Sequence, residues 1–289
     1  MAVLHRASAT AVRAVVGCTR ALEDPALRVD AYLGLARVEA DRGEGALALE
    51  FFDRAAALSP GNWQVYSKRG YFHYQRQEHQ QALTAYRTAL SLNPMSASLW
   101  SSVGGLHQVL GQAPEAIDAF TRSLAIQPSH GALSNLGFAQ FTAQQYAAAA
   151  SSFHQALAID NSDYRVWANL GDALAADAST TAQAREPYEE ALQRIDGYLE
   201  VRADDPEAMA LRGWLLASLG QYDAARQAIA ASVERAPSHG EVAMWCAQAM
   251  ALIGDDVKAR ACLGVAAQSG VESRRLASAP VLRRLLPER

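Results

Sequence analysis

Cysteine is scarce in this 289-residue chain, which holds only Cys18, Cys246 and Cys262. Three widely spaced cysteines with no CxxC pair make neither a disulfide framework nor a zinc site, and they suit a reducing cytoplasm. No apolar run approaches the ~20 residues that a membrane helix needs. Val15-Val16-Gly17-Cys18 has the outline of a lipoprotein cleavage box. Arg13 interrupts the apolar stretch that a signal peptide requires, so this segment reads as an amphipathic helix. An excess of one charge is also missing. Lys plus Arg number 26 against 30 Asp plus Glu, a formal net charge of -4. That balance excludes the basic stripe by which a dedicated nucleic-acid binder neutralises phosphates. The chain carries no GxGxxG after a strand, no GxxxxGKS/T, no HExxH and no GxSxG. Its seven histidines form no i, i+4 metal-binding pair. These absences predict a protein without cofactor, metal or catalytic machinery.

Hydrophobic residues make up 50% of the chain, enough to build a core. Alanine is abundant and β-branched runs are few. Alanine loses no side-chain entropy in a helix, so the composition predicts an all-α fold. A period is superimposed on it. Pro60, Pro94 and Pro128 follow one another at one constant interval. Gly70 and Gly104 keep the same interval, as do Gly137 and Gly171. Around these anchors the same residue types return. One block has Trp100, Val103, Gly104, His107, Ala116, Phe120 and Pro128. Another has Leu133, Leu136, Gly137, Ala149, Phe153 and Ala156, and a third opens Trp167, Leu170, Gly171. Upstream, Tyr66, Gly70, Ala82, Tyr86, Ala89 and Pro94 fit, as do Tyr32, Leu35, Ala48, Phe52, Ala55 and Pro60.

This pattern resembles the tetratricopeptide repeat (TPR), whose unit of about 34 residues reads W-x2-L-G-x2-Y, then A-x3-F, then P. The resemblance covers residues 29–271. It implies a right-handed solenoid of antiparallel helix pairs, because one pair cannot bury both of its apolar faces alone. The spacing agrees: each block carries helical periodicity twice, broken by signals such as Leu110-Gly111-Gln112 and Leu219-Gly220-Gln221. The small residue at the Gly104 position predicts close helix approach, and the Phe120 position predicts an aromatic filling the space beside it. His73 and His107 take the usual tyrosine position and read as packed, hydrogen-bonded substitutes.

The expected organisation is a capping helix or half-repeat over 1–28 and four repeats over 29–162. An extended repeat follows over 163–205, then two repeats over 206–271 and a C-terminal cap over 272–289. The interval from Gly171 to Gly213 exceeds the period by eight. One extra residue falls in the Asp177–Gln183 turn and seven fall between Ala191 and Ala203. They predict a second helix longer by about two turns, at ~1.5 Å per residue. Such a helix offers a lateral surface for an upstream domain or for self-association. Asp205-Pro206 reads as an N-cap followed by proline in the first turn. Cys246 and Cys262 fall at core-like positions and read as small hydrophobes. The end of the chain carries Arg274, Arg275, Arg283, Arg284 and Arg289 against Glu272 and Glu288, and reads as a solvated cap. The second half, with its long repeat and arginine-rich end, also resembles the C-terminal TPR arrays of bacterial signalling proteins. Such arrays accompany adenylate cyclases, serine/threonine kinases and winged-helix regulators, which implies a regulatory module as the alternative to a free-standing scaffold.

In a TPR stack the first helices line the concave face. Five large aromatics there, Tyr71, Tyr74, Phe138, Phe141 and Trp214, occupy positions that stacking alone does not need. Exposed aromatics in a groove predict a protein or peptide partner. Lys68, Arg165 and Asp172 add charge on the same face. Asn135 and Asn169 share one repeat position and resemble two rungs of the asparagine ladder in O-linked N-acetylglucosamine transferases. That ladder pairs carboxamides with an extended peptide backbone. Here the neighbouring rungs are Lys68, Ser102, Leu211 and Trp245, so the ladder is short. No three consecutive repeats supply the lysines and asparagines of a carboxylate clamp. The sequence thus predicts a cytoplasmic, non-enzymatic interaction scaffold.

Overall fold

The computed structural model describes residues 9–271 and 273–286, without the side chains of residues 9–14 and Arg274. Arg289, Glu272 and Glu288 of the arginine-rich end lie outside the described residues. All regular structure among the described residues is helical. The chain forms two units, residues 1–127 and 128–289.

The first unit holds α1 (Ala9–Ala21) and three helix pairs. These are α2 (Arg28–Asp41) with α3 (Gly45–Leu58), α4 (Trp63–Gln75) with α5 (His79–Leu92), and α6 (Ala97–Val109) with α7 (Ala113–Ile126). The second unit holds four pairs: α8 (His130–Thr142) with α9 (Tyr146–Ile159), α10 (Tyr164–Ala176) with α11 (Arg185–Val201), α12 (Pro206–Ser218) with α13 (Tyr222–Arg235), and α14 (Gly240–Ile253) with α15 (Asp256–Gln268). A short α16 (Ser273–Ser278) and a 3-10 turn (Pro280–Leu285) follow.

Local chemistry sets the helix ends. Side-chain caps accept a backbone N–H of the first turn at the first helices α4, α6, α8, α10 and α12, through Asn62, Ser96, Ser129, Asp163 and Asp205. Asp255 does the same for the second helix α15. The turn inside six of the seven pairs uses one left-handed residue. Gly43, Gly111, Gly220 and Gly254 supply it without strain, while Gln77 and Gln144 adopt it at φ 60° and 62°. An aromatic early in the first helix ties down the preceding turn. Tyr66, Trp100 and Trp167 donate to the carbonyls of Pro60, Pro94 and Asn161.

The core repeats with the period. A side chain on Gly104 would place its Cβ 2.8 Å from the Phe120 ring, and one on Gly137 would meet Phe153 at 2.7 Å. Gly70 faces Tyr86 and Gly213 faces Ile229 in the same way, always at the same offset along the chain. Gly171 faces Tyr188 at an offset longer by one, which places the single extra residue in the intervening turn. That turn is a 3-10 stretch, Thr181–Gln183, rather than a left-handed residue. His73 and His107 are buried, and their Nδ1 atoms lie 2.6 Å from Glu78 Oε2 and Gln112 Oε1. Glu78 is held below the usual carboxylate range chiefly by His73, then by Arg76.

α11 spans 17 residues, against 14 for α3, α5, α7, α9 and α13, so it is longer by three residues and not by the two turns expected, because the 3-10 turn delays its start while its end runs on past Tyr188. Its last turns are tied back rather than left bare. Tyr198 donates to Asp205 at 2.8 Å and packs on Tyr164, and Arg212 reaches back to Asp196 at 2.5 Å. Val201 at its tip is exposed.

The cysteines correct the sequence reading. Cys246 and Cys262 are joined in a disulfide, and only Cys18 is free. Their separation of 16 is the separation that brings Gly104 onto Phe120, so the repeat register itself sets α14 and α15 side by side at this point. The reading of a reducing compartment rested on unpaired thiols and loses that support. No described helix is long and apolar enough to cross a membrane.

Candidate functional site

The second unit contains a pocket of about 440 Å³ on the face formed by its first helices. The residues at the ninth position of four successive first helices all line it: Phe138, Asp172, Trp214 and Gln248. So do three at the second position, Arg165, Glu207 and Glu241. Stacked pairs present equivalent residues to one side, which is why single positions scattered from Phe138 to Gln248 converge here. Tyr188 of α11 and Phe153 of α9 form the floor, and Arg275, Ser278, Ala279, Pro280 and Val281 roof it from the C-terminal segment.

Asp172 is the chemical centre. Its Oδ1 accepts from the Tyr188 hydroxyl at 2.8 Å and from the Trp214 indole at 3.2 Å. Withdrawal from bulk water pushes its carboxyl up to about 6, against the partial pull of those two donors. Tyr188, buried against this carboxylate, is raised well above the ordinary tyrosine range, by desolvation first and by Asp172 second. Tyr164 forms another wall. It is 7% exposed, and its buried hydroxyl has no hydrogen-bond partner among the described residues. Trp214 stacks obliquely on Trp245, with ring centroids 6.5 Å apart.

The charges around the rim are mostly engaged. Arg275 grips both oxygens of Glu241, one of them at 2.6 Å. Glu207 lies 3.4 Å from His239. Arg165 stacks over the Tyr164 ring at 4.9 Å.

The structure sorts the residues singled out from sequence. Phe138, Phe141, Arg165, Asn169 and Trp214 line the pocket together. Asn135 is exposed and is not part of its lining, whereas Asn169 is half-buried within it. Trp214 departs from expectation. It is 6% exposed, not a free groove aromatic, because Trp245 of the next pair covers it and Asp172 satisfies its N–H. Phe138 and Phe141 are half-buried, the latter against Tyr146. Lys68 and Tyr71 belong to the first unit, where they line a separate pocket of about 540 Å³ with Asp30, Arg37 and Phe72. Tyr71 and Tyr74 are exposed there, Tyr74 beside His79. Sequence reasoning placed Asp172 on the groove face without giving it a role, and missed Tyr188, Trp245 as a wall, and the returning C-terminal segment. The shared ninth position was the available signal for Asp172.

Stacked antiparallel helix pairs with a glycine-to-aromatic contact in most of them define an all-α repeat solenoid. The sequence profile of the tetratricopeptide repeat matches residues 18–62, 68–130, 177–240 and 210–270. The chain therefore belongs to the tetratricopeptide repeat family. Among curated proteins none matches it in sequence. Among solved structures it is similar to a tetratricopeptide repeat protein from Parabacteroides merdae, at 16% identity and a TM-score of 0.65, over 90% of this chain and 99% of that one. PilF from Pseudomonas aeruginosa matches at 20% identity and a TM-score of 0.58, over 78% of this chain and 96% of that one. The APC/C hetero-tetramer Cut9-Hcn1 matches at 17% identity and a TM-score of 0.62, over 83% of this chain and 46% of that one. These likenesses carry the fold. The family makes the protein an interaction scaffold.

Proposed function

We propose that the pocket of the second unit holds an extended segment of a protein partner against α8, α10, α12 and α14. The observation that carries this reading is the convergence of half-buried aromatics with a backbone-pairing group. Phe138 and Phe141 offer apolar area at low entropic cost, and Asn169 beside them offers both a donor and an acceptor. A peptide can thus bury one apolar side chain while pairing its backbone with the carboxamide. The work of the protein on this reading is binding, not catalysis.

The test is selection of binders from a displayed random-peptide library, followed by affinity measurement. Asn169→Ala removes one neutral hydrogen bond, worth ~0.5–1.5 kcal/mol, and should weaken a selected peptide only several-fold. Adding Phe138→Ala should weaken it far more, since aromatic anchors often carry ~2 kcal/mol or more. Circular dichroism confirms that the variant is folded. Undiminished affinity in the double variant would move the site off this face.

A further inference from the structure

Carboxylates withdrawn from water are normally paired with a cation, because the charge has lost its hydration. Asp172 is not paired. Among the described residues its hydrogen-bond partners are Tyr188 and Trp214, both on Oδ1, and no cation makes an ion pair with it. The nearby guanidiniums are engaged elsewhere, Arg275 with Glu241 and Arg165 over Tyr164. Asp172 is half-buried, and its second oxygen, without a donor among the described residues, faces an open pocket. The surrounding surfaces are aromatic. Trp214, Trp245, Tyr164 and Tyr188 line the same space, and ring faces attract cations through their quadrupole. The buried Tyr164 hydroxyl, also unpartnered, adds an acceptor. An acceptor oxygen, aromatic walls and a missing counter-charge all ask for one kind of group.

We propose that the space beside Asp172 is a subsite for one basic side chain, arginine foremost, of a peptide lying across α10, α12 and α14. This rests on the peptide-binding reading of the same pocket and names what that peptide must carry. A guanidinium is flat enough to lie between ring faces while its N–H groups donate to the free oxygen of Asp172. Desolvation of Asp172 supports the assignment: an arriving cation restores the interaction that withdrawal from water removed.

The probe is N-acetyl-arginine N-methylamide, set against its neutral isostere, N-acetyl-citrulline N-methylamide. The readout is the indole N–H resonance of Trp214, which already donates to Asp172. The arginine probe should shift this resonance saturably and bind roughly tenfold more tightly than the citrulline probe, as expected for a charge-assisted bond. Asp172→Asn should remove the preference while leaving both probes weakly bound. Its carboxamide oxygen still accepts from Tyr188 and Trp214, so the wall is preserved.

If that variant does not fold, pH on the wild-type protein serves instead. Lowering pH from 7 to 5 protonates Asp172 and should weaken the arginine probe several-fold without weakening the citrulline probe. The other charged or titratable groups lining this space are Tyr164, Arg165, Tyr188, Glu207, Glu241 and Arg275, with His239 beside Glu207. A pH effect acting through Glu207, Glu241 or His239 would also fall on the charged probe alone, so the titration is repeated on Glu207→Gln and Glu241→Gln, in which an effect that belongs to Asp172 persists. Equal affinity for the two probes, or an arginine preference that survives both Asp172→Asn and pH 5, overturns the basic subsite. No shift of Trp214 with either probe overturns it as well. Library-selected peptides lacking any basic residue, yet sensitive to Phe138→Ala, would overturn the subsite while leaving the peptide-binding reading intact.

Discussion

At the scale of single residues, Asp172 is the side chain whose environment says most. Its folded value of about 6 lies above the ordinary 3.8. An acid raised on folding holds its proton more tightly in the native state. The stability it contributes is therefore present below about 4 and is lost as pH rises through about 6. At neutral pH the ionised carboxylate costs the fold on the order of 2–3 kcal/mol, at roughly 1.36 kcal/mol per unit of displacement. Asp172→Asn should therefore be at least as stable as the wild type at pH 7. It should also lose the part of the stability decline between pH 4 and 6 that this residue causes. Urea unfolding of both proteins at pH 4 and 7 checks this through the double difference. A variant clearly less stable at pH 7 would show that the carboxylate itself stabilises the fold. Sequence placed Asp172 on the groove face, because the ninth position of each first helix points there. It gave no sign of desolvation, which depends on Tyr188, reaching Asp172 across the pair, and on Trp214 from the pair that follows.

At the scale of the element, adjacent glycines of α6 separate two kinds of glycine. A Cβ on Gly104 would stand 2.8 Å from the Phe120 ring, whereas one on Gly105 would meet nothing within 4 Å. Gly104→Ala should overpack the α6–α7 interface and cost ~1–3 kcal/mol. Gly105→Ala should stabilise α6 by ~0.5–1 kcal/mol through helix propensity alone. Denaturant midpoints of the two variants should move in opposite directions. Midpoints that both rise would show that the helices can separate to admit the methyl group. This contrast was legible in sequence for Gly104, through its recurrence with Phe120, and it follows for Gly105 from its lying one residue outside the pattern. The disulfide was legible in principle. Cys246 and Cys262 share the offset of Gly104 and Phe120, but cysteine counting by spacing motifs alone does not use the repeat register.

At the scale of the whole molecule, the C-terminal segment shows how a stack of nearest-neighbour contacts ends. Leu282 is fully buried and Leu285 is 4% exposed in the 3-10 turn, which packs against α14. Arg284 holds the turn to Asp256 and to the Ala251 carbonyl, and Arg283 donates to Tyr146 at 2.8 Å. The described part of the arginine-rich end is thus a cap docked on α14 that also roofs the pocket, where the sequence predicts a solvated cap. Leu282→Ala should cost ~2–5 kcal/mol, felt mainly by α14 and α15, because the 3-10 turn packs on α14 and reaches the earlier pairs of its unit only at points such as Arg283 on Tyr146. Hydrogen exchange should quicken in α14 and α15 and stay unchanged in α2–α5. Uniform acceleration along the chain would mean that the array unfolds as one cooperative body.

The sequence by itself determined the helix pairs, their turns, the glycine-to-aromatic contacts and the family. All of these depend on residues within one repeat period, where local propensity and short-range packing act together. It also determined which side chains share a face, because stacking repeats the same geometry. Only the tertiary structure decided that Trp214 is covered by Trp245, that Asp172 is half-buried with its carboxyl raised and without a counter-charge, and that residues 275–281 return over the pocket. Those features arise between pairs, at separations the period does not fix. Burial there is set by the volume of whatever side chain the next repeat happens to bring.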